Sequence, residues 1–208
     1  FLFITADETN RLTTENVEAY LQYVLQRIDL SRDIHFYTNT TIDTLDYSGT
    51  GLNSGSKVVL AAYGDIKREL VKEVPDALKD LQQFENAQLI MPGIIALQTK
   101  AFTNYETAAK EMAVLNEQLK EKATALTGCQ FIIVTNDSDF TARNLRNFLW
   151  QTFTRCNPSH DIYGINEFIS NKHWGCNGAV VFDARTKPHN DPPVEVLPET
   201  EKQIEKYF

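Results

Sequence analysis

Two segments of this chain occur twice, at a nearly constant spacing. Phe1-Leu-Phe-Ile-Thr5 is followed 130 residues later by Phe131-Ile-Ile-Val-Thr135. Arg27-Ile-Asp-Leu-Ser-Arg-Asp-Ile34 is followed 128 residues later by Arg155-Cys-Asn-Pro-Ser-His-Asp-Ile162. Solenoid repeats have periods of about 20 to 50 residues, so a longer spacing indicates a duplicated supersecondary unit. We therefore expect two copies of one unit in this chain.

Each copy contains a helix with the same apolar face. The apolar residues recur at i, i+3, i+4, i+7, i+8 and i+11, which is typical of a helix packed on a sheet. The six positions in the two copies are Val17, Tyr20, Leu21, Val24, Leu25 and Ile28, and then Leu145, Phe148, Leu149, Thr152, Phe153 and Cys156. We expect Thr13 or Thr14 to cap the first helix and Thr141 to cap the second.

Short apolar, β-prone runs flank these helices and predict strands. The runs are 1–5, 34–37 and 58–62 in the first copy, and 131–135, 161–165 and 179–184 in the second. Between the copies the pattern predicts a short helix at 75–81, strands at 87–91 and 94–99, and a helix at 105–125. Residues 168–178 are expected to form a loop, and residues 199–206 a terminal helix.

This alternation of strands and helices predicts an α/β fold. We expect two pseudo-repeated strand-helix-strand halves, a largely parallel sheet and right-handed crossovers. The first repeat spans 1–74, connecting helices and strands span 75–128, and the second repeat with a Pro-rich tail spans 129–208.

The charge balance excludes some classes of partner. The chain has 28 acidic and 20 basic side chains, a net charge of −8, which argues against nucleic acid and against an anionic membrane surface. No apolar run reaches the roughly 18 residues of a membrane span, and no secretory signal is visible. Three cysteines in apolar or helical contexts indicate a reduced, cytoplasmic protein. Because the chain starts at Phe1 inside a strand-like run, we expect a fragment of a longer protein.

The glycine-rich segment Gly51-Leu-Asn-Ser-Gly55-Ser-Lys57 does not have the spacing of a phosphate-binding loop. Such a loop has four residues between its glycines and precedes a helix, whereas here three residues intervene and a strand follows. Two interpretations remain open. The segment is a flexible loop, or its glycine amides and Lys57 hold an anion.

Metal and nucleophile chemistry have weak support. His173-Trp-Gly-Cys176 could join His189, Cys156 and Cys129 in a zinc site, but a second closely spaced pair of ligands is missing from the sequence. Cys156 follows a helix end, where the dipole disfavours a thiolate. The acidic pairs Asp7-Glu8 and Asp137-Ser-Asp139 precede helices and are interpreted as capping groups. We assign no catalytic and no metal-binding residue to this chain.

Three segments resemble the C-terminal domain of the UbiD family of aromatic and polyprenyl-hydroxybenzoate decarboxylases. Trp150-Gln-Thr-Phe-Thr-Arg155-Cys-Asn-Pro158-Ser-His-Asp161 is similar to the family's helix, Thr-Thr-Arg-x-x-Pro turn and Arg-Asp pair. Asp43-Thr-Leu-Asp46 and Gly55-Ser-Lys57 resemble its later Asp-x-Leu-Asp and Gly-Ser-Lys segments. The first copy departs at Leu25-Gln-Arg27, and the second has His173-Trp-Gly-Cys in place of Gly-Ser-Lys.

The resemblance implies a non-oxidative carboxy-lyase that uses prenylated flavin mononucleotide, a divalent metal and potassium. It implies that the catalytic groups lie in a preceding, N-terminal flavin-binding domain. This chain would then be an active-site lid and dimerisation domain, inactive alone and without tightly bound cofactor. Aromatic acids of quinone biosynthesis are the expected substrates of the full-length protein.

The resemblance also implies three candidate cofactor-binding residues: Arg27, Lys57 and Arg155. The family's Thr-Thr-Arg arginine corresponds to Arg155 by motif and to Arg27 by chain order, and we favour Arg27. Apart from the resemblance, an arginine at a helix end commonly bonds the last helical carbonyls. Two other functions remain open: a non-enzymatic dimerisation module, and a small-molecule-binding α/β domain.

Overall fold

The first half of the protein forms a small mixed sheet. A computed structural model describes residues 1–7, 12–13, 15–49, 51–191 and 197–207. Strands β1 (Leu2–Thr5), β2 (Ile34–Thr40) and β3 (Gly55–Ala62) form a sheet in the order β1-β3-β2. Strand β3 is parallel to β1 and antiparallel to β2. Helix α1 (Val17–Arg27) connects β1 to β2.

A larger, five-stranded sheet occupies the rest of the chain. Its strands are β4 (Glu85–Met91), β5 (Ile94–Gln98), β6 (Phe131–Thr135), β7 (Ile162–Gly164) and β10 (Val180–Asp183), in the order β4-β5-β6-β10-β7. Strand β6 is parallel to both of its neighbours, whereas the outer strands are antiparallel. A separate hairpin consists of β8 (Glu167–Ser170) and β9 (His173–Cys176).

Five further α-helices and two 3₁₀-helices complete the described chain. The α-helices are α2 (Tyr105–Leu119), α3 (Ser138–Ala142), α4 (Leu145–Arg155), α5 (Pro158–Asp161) and α6 (Pro198–Ile204). The 3₁₀-helices are Asp76–Leu78 and Lys120–Leu126. Within the described residues, no helix is both long and apolar enough to cross a membrane.

The two halves have the same order of strand pairing. In each half the last strand is parallel to the first and antiparallel to the second, as β1-β3-β2 and as β6-β10-β7. Residues 75–128 supply β4 and β5 to the second sheet. The origin of the halves by duplication, the right-handed crossovers and the division at residues 74 and 128 stay predictions.

The expectation of a largely parallel sheet was wrong. Three strand pairs among the described residues are parallel and four are antiparallel. Direct returns of the chain explain two of the antiparallel pairs, β4-β5 and β8-β9, because short connections can join only antiparallel strands. The clearest case is Pro92-Gly93 between β4 and β5, where Gly93 has a φ of 86°.

The predicted helix caps were also wrong, because in both halves the capping residue is an asparagine two or three residues further along the chain. The side chain of Asn16 accepts the Ala19 N–H at 2.9 Å, and that of Asn144 accepts the Asn147 N–H at 2.9 Å. Thr141 instead lies inside α3, because Asp137 caps this additional short helix. Thr14 lies outside the described residues, as do Glu8, Pro192 and Pro193.

Two more boundaries differ from the predictions. The expected loop at 168–178 contains the β8-β9 hairpin, which turns at Asn171 and Lys172 without a glycine to signal it. Asp161 ends helix α5 and does not begin a strand, since Pro158 starts a helical turn there.

One apolar core joins both sheets. It contains Leu21, Val24, Leu25 and Ile28 from around α1 together with Phe148 and Cys156 from around α4. A buried polar link also joins the halves, because Ser56 Oγ donates to Asn157 Oδ1 at 2.5 Å and accepts the Ser159 N–H at 2.8 Å. The halves are therefore packed as one body at the place where α4 ends.

Candidate functional site

A cavity of about 900 Å³ lies between the loop after β2 and the end of α4. The loop contributes two acidic residues, α4 contributes aromatic rings and a guanidinium, and the tail contributes two polar residues. The lining residues are Asp43, Leu45, Asp46, Tyr47, Trp150, Phe153, Thr154, Arg155, Asn190 and Asp191. The cavity thus brings the Asp43-Thr-Leu-Asp46 segment of one half to the Thr-Arg segment of the other.

The two loop carboxylates organise the backbone around them. Asp43 Oδ1 accepts the Leu45 N–H at 2.8 Å. Asp46 Oδ1 accepts the N–H and the hydroxyl of Ser48 at 2.9 and 2.6 Å. Such turns, in which aspartate bonds its own backbone two residues on, hold a loop in one conformation. They leave Leu45 80% exposed beside the cavity.

Arg155 is the cation of this cavity. Its residue is only 4% exposed, and its guanidinium carbon lies 4.6 Å from the centre of the Trp150 ring. In the described part of the chain, Nε and Nη1 have no hydrogen-bond partner. Burial lowers the pKa of Arg155, and the charge of Asp191 acts against this shift. Buried donors without acceptors are unfavourable, so an acceptor that reached Nε and Nη1 from the cavity would be bound favourably.

The backbone of Arg155 is held by a buried lysine. Lys187 Nζ donates to the carbonyl of Arg155 at 2.8 Å and to that of Asp183 at 2.7 Å. It also lies 3.3 Å from Asp161 Oδ2. A cation at the carboxyl end of a helix satisfies its last carbonyls and complements its dipole. Lys187 therefore ties the end of α4 to the end of β10.

Asp161 is nearly enclosed beneath the cavity. Its Oδ2 accepts the Asn157 N–H at 2.6 Å, whereas Oδ1 has no partner among the residues described. Burial raises the pKa of Asp161 to about 7, although the charge of Lys187 opposes that shift. This carboxyl therefore keeps its proton to a higher pH than an exposed aspartate does.

A second group of buried, paired charges lies at the end of β10. Arg185 donates from Nε and Nη2 to the two carboxylate oxygens of Asp183 at 2.8 and 2.7 Å. Its Nη1 donates to Glu111 Oε2 at 2.7 Å. Removing either partner would leave the other charge buried and unpaired, which is strongly destabilising. These side chains are therefore held in one arrangement. No local pattern in the sequence predicted this group, because Glu111 and Arg185 are 74 residues apart.

Of the three predicted cofactor-binding residues, only Arg155 lines the cavity. Arg27 donates to the carbonyls of Gly64 at 3.0 Å and Tyr23 at 3.1 Å, and stacks 3.5 Å over the Tyr23 ring. Lys57 Nζ donates to the Thr41 carbonyl at 2.8 Å. Both side chains thus hold backbone that flanks the first sheet. No described group of three or more His, Cys, Asp or Glu side chains is arranged to hold a metal.

The cysteines are buried thiols. Burial raises the pKa of Cys129 and of Cys176 to about 12, and raises that of Cys156, where Asp161 adds to the effect. The helix dipole proposed from the sequence is therefore not needed to explain a poor nucleophile at Cys156. All three cysteines are free and buried.

The charges of the cavity do not fit a complete site for a flavin phosphate. Three carboxylates, those of Asp43, Asp46 and Asp191, face one guanidinium. A phosphate dianion would be repelled by this balance, and a helix start with free amides is missing from the lining residues. What fits is a single acceptor placed against the Arg155 guanidinium.

Comparisons with known proteins show similarity to decarboxylases over most of the chain. A family model described as the 3-octaprenyl-4-hydroxybenzoate carboxy-lyase C-terminal domain matches residues 2–62 and 66–184. The chain is 27% identical over 207 residues to a 4-hydroxybenzoate decarboxylase subunit of Chlamydia pneumoniae, covering 98% of this chain and 32% of that protein. It is 26% identical to an uncharacterized protein of Chlamydia muridarum, covering 100% of this chain and 34% of the relative. The chain thus spans about a third of the length of these relatives.

Among solved structures, the chain is similar to the vanillic acid decarboxylase of Sedimentibacter hydroxybenzoicus in its open form. The identity is 17% and the TM-score 0.36, with 82% of this chain and 43% of the other covered. A second structure of that enzyme has 15% identity and a TM-score of 0.39, covering 84% of this chain and 44% of the other.

Proposed function

We propose that this chain, which belongs to the 3-octaprenyl-4-hydroxybenzoate carboxy-lyase C-terminal domain family, is the C-terminal domain of a UbiD-type non-oxidative decarboxylase. The observation that carries the proposal is the family match, which extends through both halves to residue 184. A relative that aligns with 98% of this chain carries a decarboxylase name, which supports the same reaction class. The full-length protein would release CO₂ from an aromatic acid, with the acids of quinone biosynthesis as expected substrates.

In this proposal the flavin is held elsewhere. Prenylated flavin mononucleotide, the divalent metal and potassium would be bound by the preceding flavin-binding domain, and this chain would be inactive alone in the cytoplasm. The acidic balance of the Arg155 cavity supports that division, because it disfavours a phosphate dianion. When bound, the flavin supplies the electron sink for loss of CO₂.

We infer that Arg155 is this chain's contribution to the shared active site. Its Nε and Nη1 nitrogens lack a partner and would donate to an acceptor on the cofactor, the substrate or the facing domain that reaches them through the cavity. Arg27 and Lys57 are weaker candidates, because backbone carbonyls already accept their hydrogen bonds. Lys187 would act as a positioning residue, since it fixes the Arg155 carbonyl.

The lid and dimerisation roles rest on the loop beside the cavity. Leu45 and Tyr47 line the cavity and are 80% and 51% exposed. Apolar side chains grouped beside a cavity are typical of a surface that another domain or subunit covers. We propose that this loop closes against the flavin-binding domain and that the assembly is a homo-oligomer.

The experiment compares this chain with the longer protein that contains it. Both are loaded with prenylated flavin mononucleotide, divalent metal and potassium, and CO₂ release from 4-hydroxybenzoate and related aromatic acids is measured. We expect activity from the longer protein only, and an Arg155→Met variant that retains its flavin and loses at least about tenfold in kcat/KM. Arg27→Met is the matched control and should keep most of the activity.

Two outcomes would contradict the proposal. A longer protein that holds the flavin yet decarboxylates no aromatic acid would favour a non-enzymatic dimerisation module. Stoichiometric flavin bound by this chain alone would favour an independent small-molecule-binding domain. Equal losses of kcat/KM in the Arg27 and Arg155 variants would show that Arg155 has no special role in the active site. The decarboxylase proposal would still stand.

A further inference from the structure

A second cavity, of about 490 Å³, adjoins the β8-β9 hairpin. It is formed by β2, by the start of α5 and by the β8-β9 hairpin. Its polar and aromatic groups include Lys172, His35, His173, Ser159, Phe36 and Trp174. It shares no lining residue with the Arg155 cavity.

The charge of this cavity is opposite to that of the chain. Three of its lining side chains are basic types, Lys172, His35 and His173, and none of its lining residues is acidic. The chain as a whole carries a net charge of −8. Lys172 makes no salt bridge within the described ranges, although 28 acidic residues are present in the sequence. An unpaired ammonium beside two imidazoles is a favourable setting for an oxyanion.

Lys172 occupies a turn position whose backbone conformation disfavours a lysine. Asn171 and Lys172 have φ values of 51° and 65° and form the turn between the paired residues Ser170 and His173. A two-residue hairpin turn with positive φ at both positions favours Asn-Gly, because a side chain in the left-handed region is strained. Strained residues of this kind cluster at ligand-binding sites. The lysine is therefore not explained by the needs of the turn.

The neighbouring histidine is fixed in place. His173 Nε2 lies 3.2 Å from the carbonyl of Ser31, which can only accept, so Nε2 carries a proton and Nδ1 is left for other partners. The strand approaches this loop closely, since a Cβ on Gly175 would lie 2.6 Å from the same carbonyl oxygen. The ring of His35 lies 5.6 Å from that of His173.

Aromatic rings give the cavity an apolar wall. Phe36 and Trp174 meet edge to face with centroids 5.3 Å apart, and both are half-buried. The cavity is several times larger than a phosphate ion, so a ligand that fills it carries an organic group as well. A flat or apolar group on that ligand would lie against these rings.

We propose that this cavity binds the phosphate group of a small phosphorylated compound. Lys172 supplies the permanent charge, and His35 supplies a further donor. The N–H of His173 is held by the Ser31 carbonyl and the Ser159 hydroxyl bonds Asn157 and His160, so these two residues shape the cavity. The organic remainder packs on Phe36 and Trp174. The site does not depend on decarboxylase function, because it rests on residues that take no part in the Arg155 cavity.

The test uses this chain and two probes, inorganic phosphate and phenyl phosphate, titrated at constant ionic strength. The chain has two tryptophans, so its two indole N–H signals in a proton-nitrogen NMR spectrum report on the two cavities separately. We expect saturable shifts of the Trp174 signal and an unmoved Trp150 signal. The proposal predicts tighter binding of phenyl phosphate than of inorganic phosphate. Equal binding would show that the aromatic wall takes no part and would overturn the assignment to a phosphorylated organic compound.

The decisive variant is Lys172→Gly. Glycine suits the left-handed turn, so this variant should unfold at no lower temperature than the wild type while its phosphate Kd rises about tenfold. Lys110→Gln, on an exposed face of α2, is the matched control and should bind as the wild type does. Shifts that do not saturate, or an unchanged Kd in the well-folded Lys172→Gly variant, would overturn the proposal. Saturable shifts with benzoate but not with either phosphate would also overturn it.

Discussion

The ammonium group of Lys187 lies 3.3 Å from the carboxylate of Asp161, and both side chains are shut off from solvent. The same ammonium donates to the carbonyls that end α4 and β10. One lysine thus contacts an enclosed acid and bonds the backbone carbonyls at the ends of α4 and β10. The stability of this region and the position of Arg155 are therefore coupled.

Replacing Lys187 by methionine should be strongly destabilising. The variant leaves the carbonyls of Arg155, Asp183 and Arg185 without their donor. Above about pH 7, where Asp161 is ionised, it also leaves this acid buried without its cation, and breaking a buried ion pair from one side costs about 3–5 kcal/mol. Urea unfolding measures the loss. The double variant Lys187→Met, Asp161→Asn should recover part of it, since the acid is then gone. Strictly additive costs would show that the two groups do not interact.

Asp161 should make stability fall as the pH rises towards neutrality. Its pKa is raised to about 7 in the folded protein, against about 3.9 in an unfolded chain. Between these values the folded state holds a proton that the unfolded state has released, so the free energy of unfolding decreases with pH. The full effect is at most about 4 kcal/mol, present below about pH 4 and lost by about pH 7.

Asp161→Asn is the test of this linkage. Asparagine keeps an acceptor for the Asn157 N–H and cannot titrate, so the slope of unfolding free energy against pH should flatten between pH 4 and 7. Asp76→Asn is the control, because the Asp76 side chain is 93% exposed and Lys79 lowers its pKa. Removing Asp76 should leave that slope unchanged near neutrality. An equally steep slope in Asp161→Asn would refute the assignment.

Substitution by methionine should have very different effects on the free energy of unfolding at Arg155 and at Arg185. Arg185 donates to both Asp183 and Glu111, so Arg185→Met leaves two buried carboxylates unpaired and should cost at least about 3 kcal/mol. Arg155 has two buried donors without partners, so Arg155→Met should change stability by less than about 1 kcal/mol. Urea unfolding of both variants measures the contrast. A large loss in Arg155→Met would show that this arginine is structural.

Local patterns in the sequence predicted those helices and strands whose formation depends on residues close together in the chain. The 3.6-residue periodicity located α1 and α4, and the apolar runs located β1, β3, β6 and β10. The family resemblance, carried by Trp150 to Asp161 and by Asp43 to Asp46, is confirmed by the family match. These are the same segments that the fold brings together around one cavity.

What the sequence did not predict depends on contacts between distant residues. Glu111, Asp183 and Arg185 look like ordinary surface charges until β10 and α2 are packed together. The β8-β9 hairpin was missed because Lys172 occupies a turn position where glycine would have been the signal. Strand direction was missed because periodicity identifies a strand and not the direction of its neighbour.

Substitution of the two capping asparagines tests whether the two halves of the protein unfold in one transition. Asn16→Ala and Asn144→Ala each remove a side-chain acceptor from a helix start, which costs about 1 kcal/mol. Serine at either position retains the cap and is the matched control. We expect both alanine variants to lower the urea midpoint of one shared transition, because one apolar core contains residues of α1 and α4. Two separate transitions, each moved by only one variant, would show that the halves unfold independently and that the shared core contributes little.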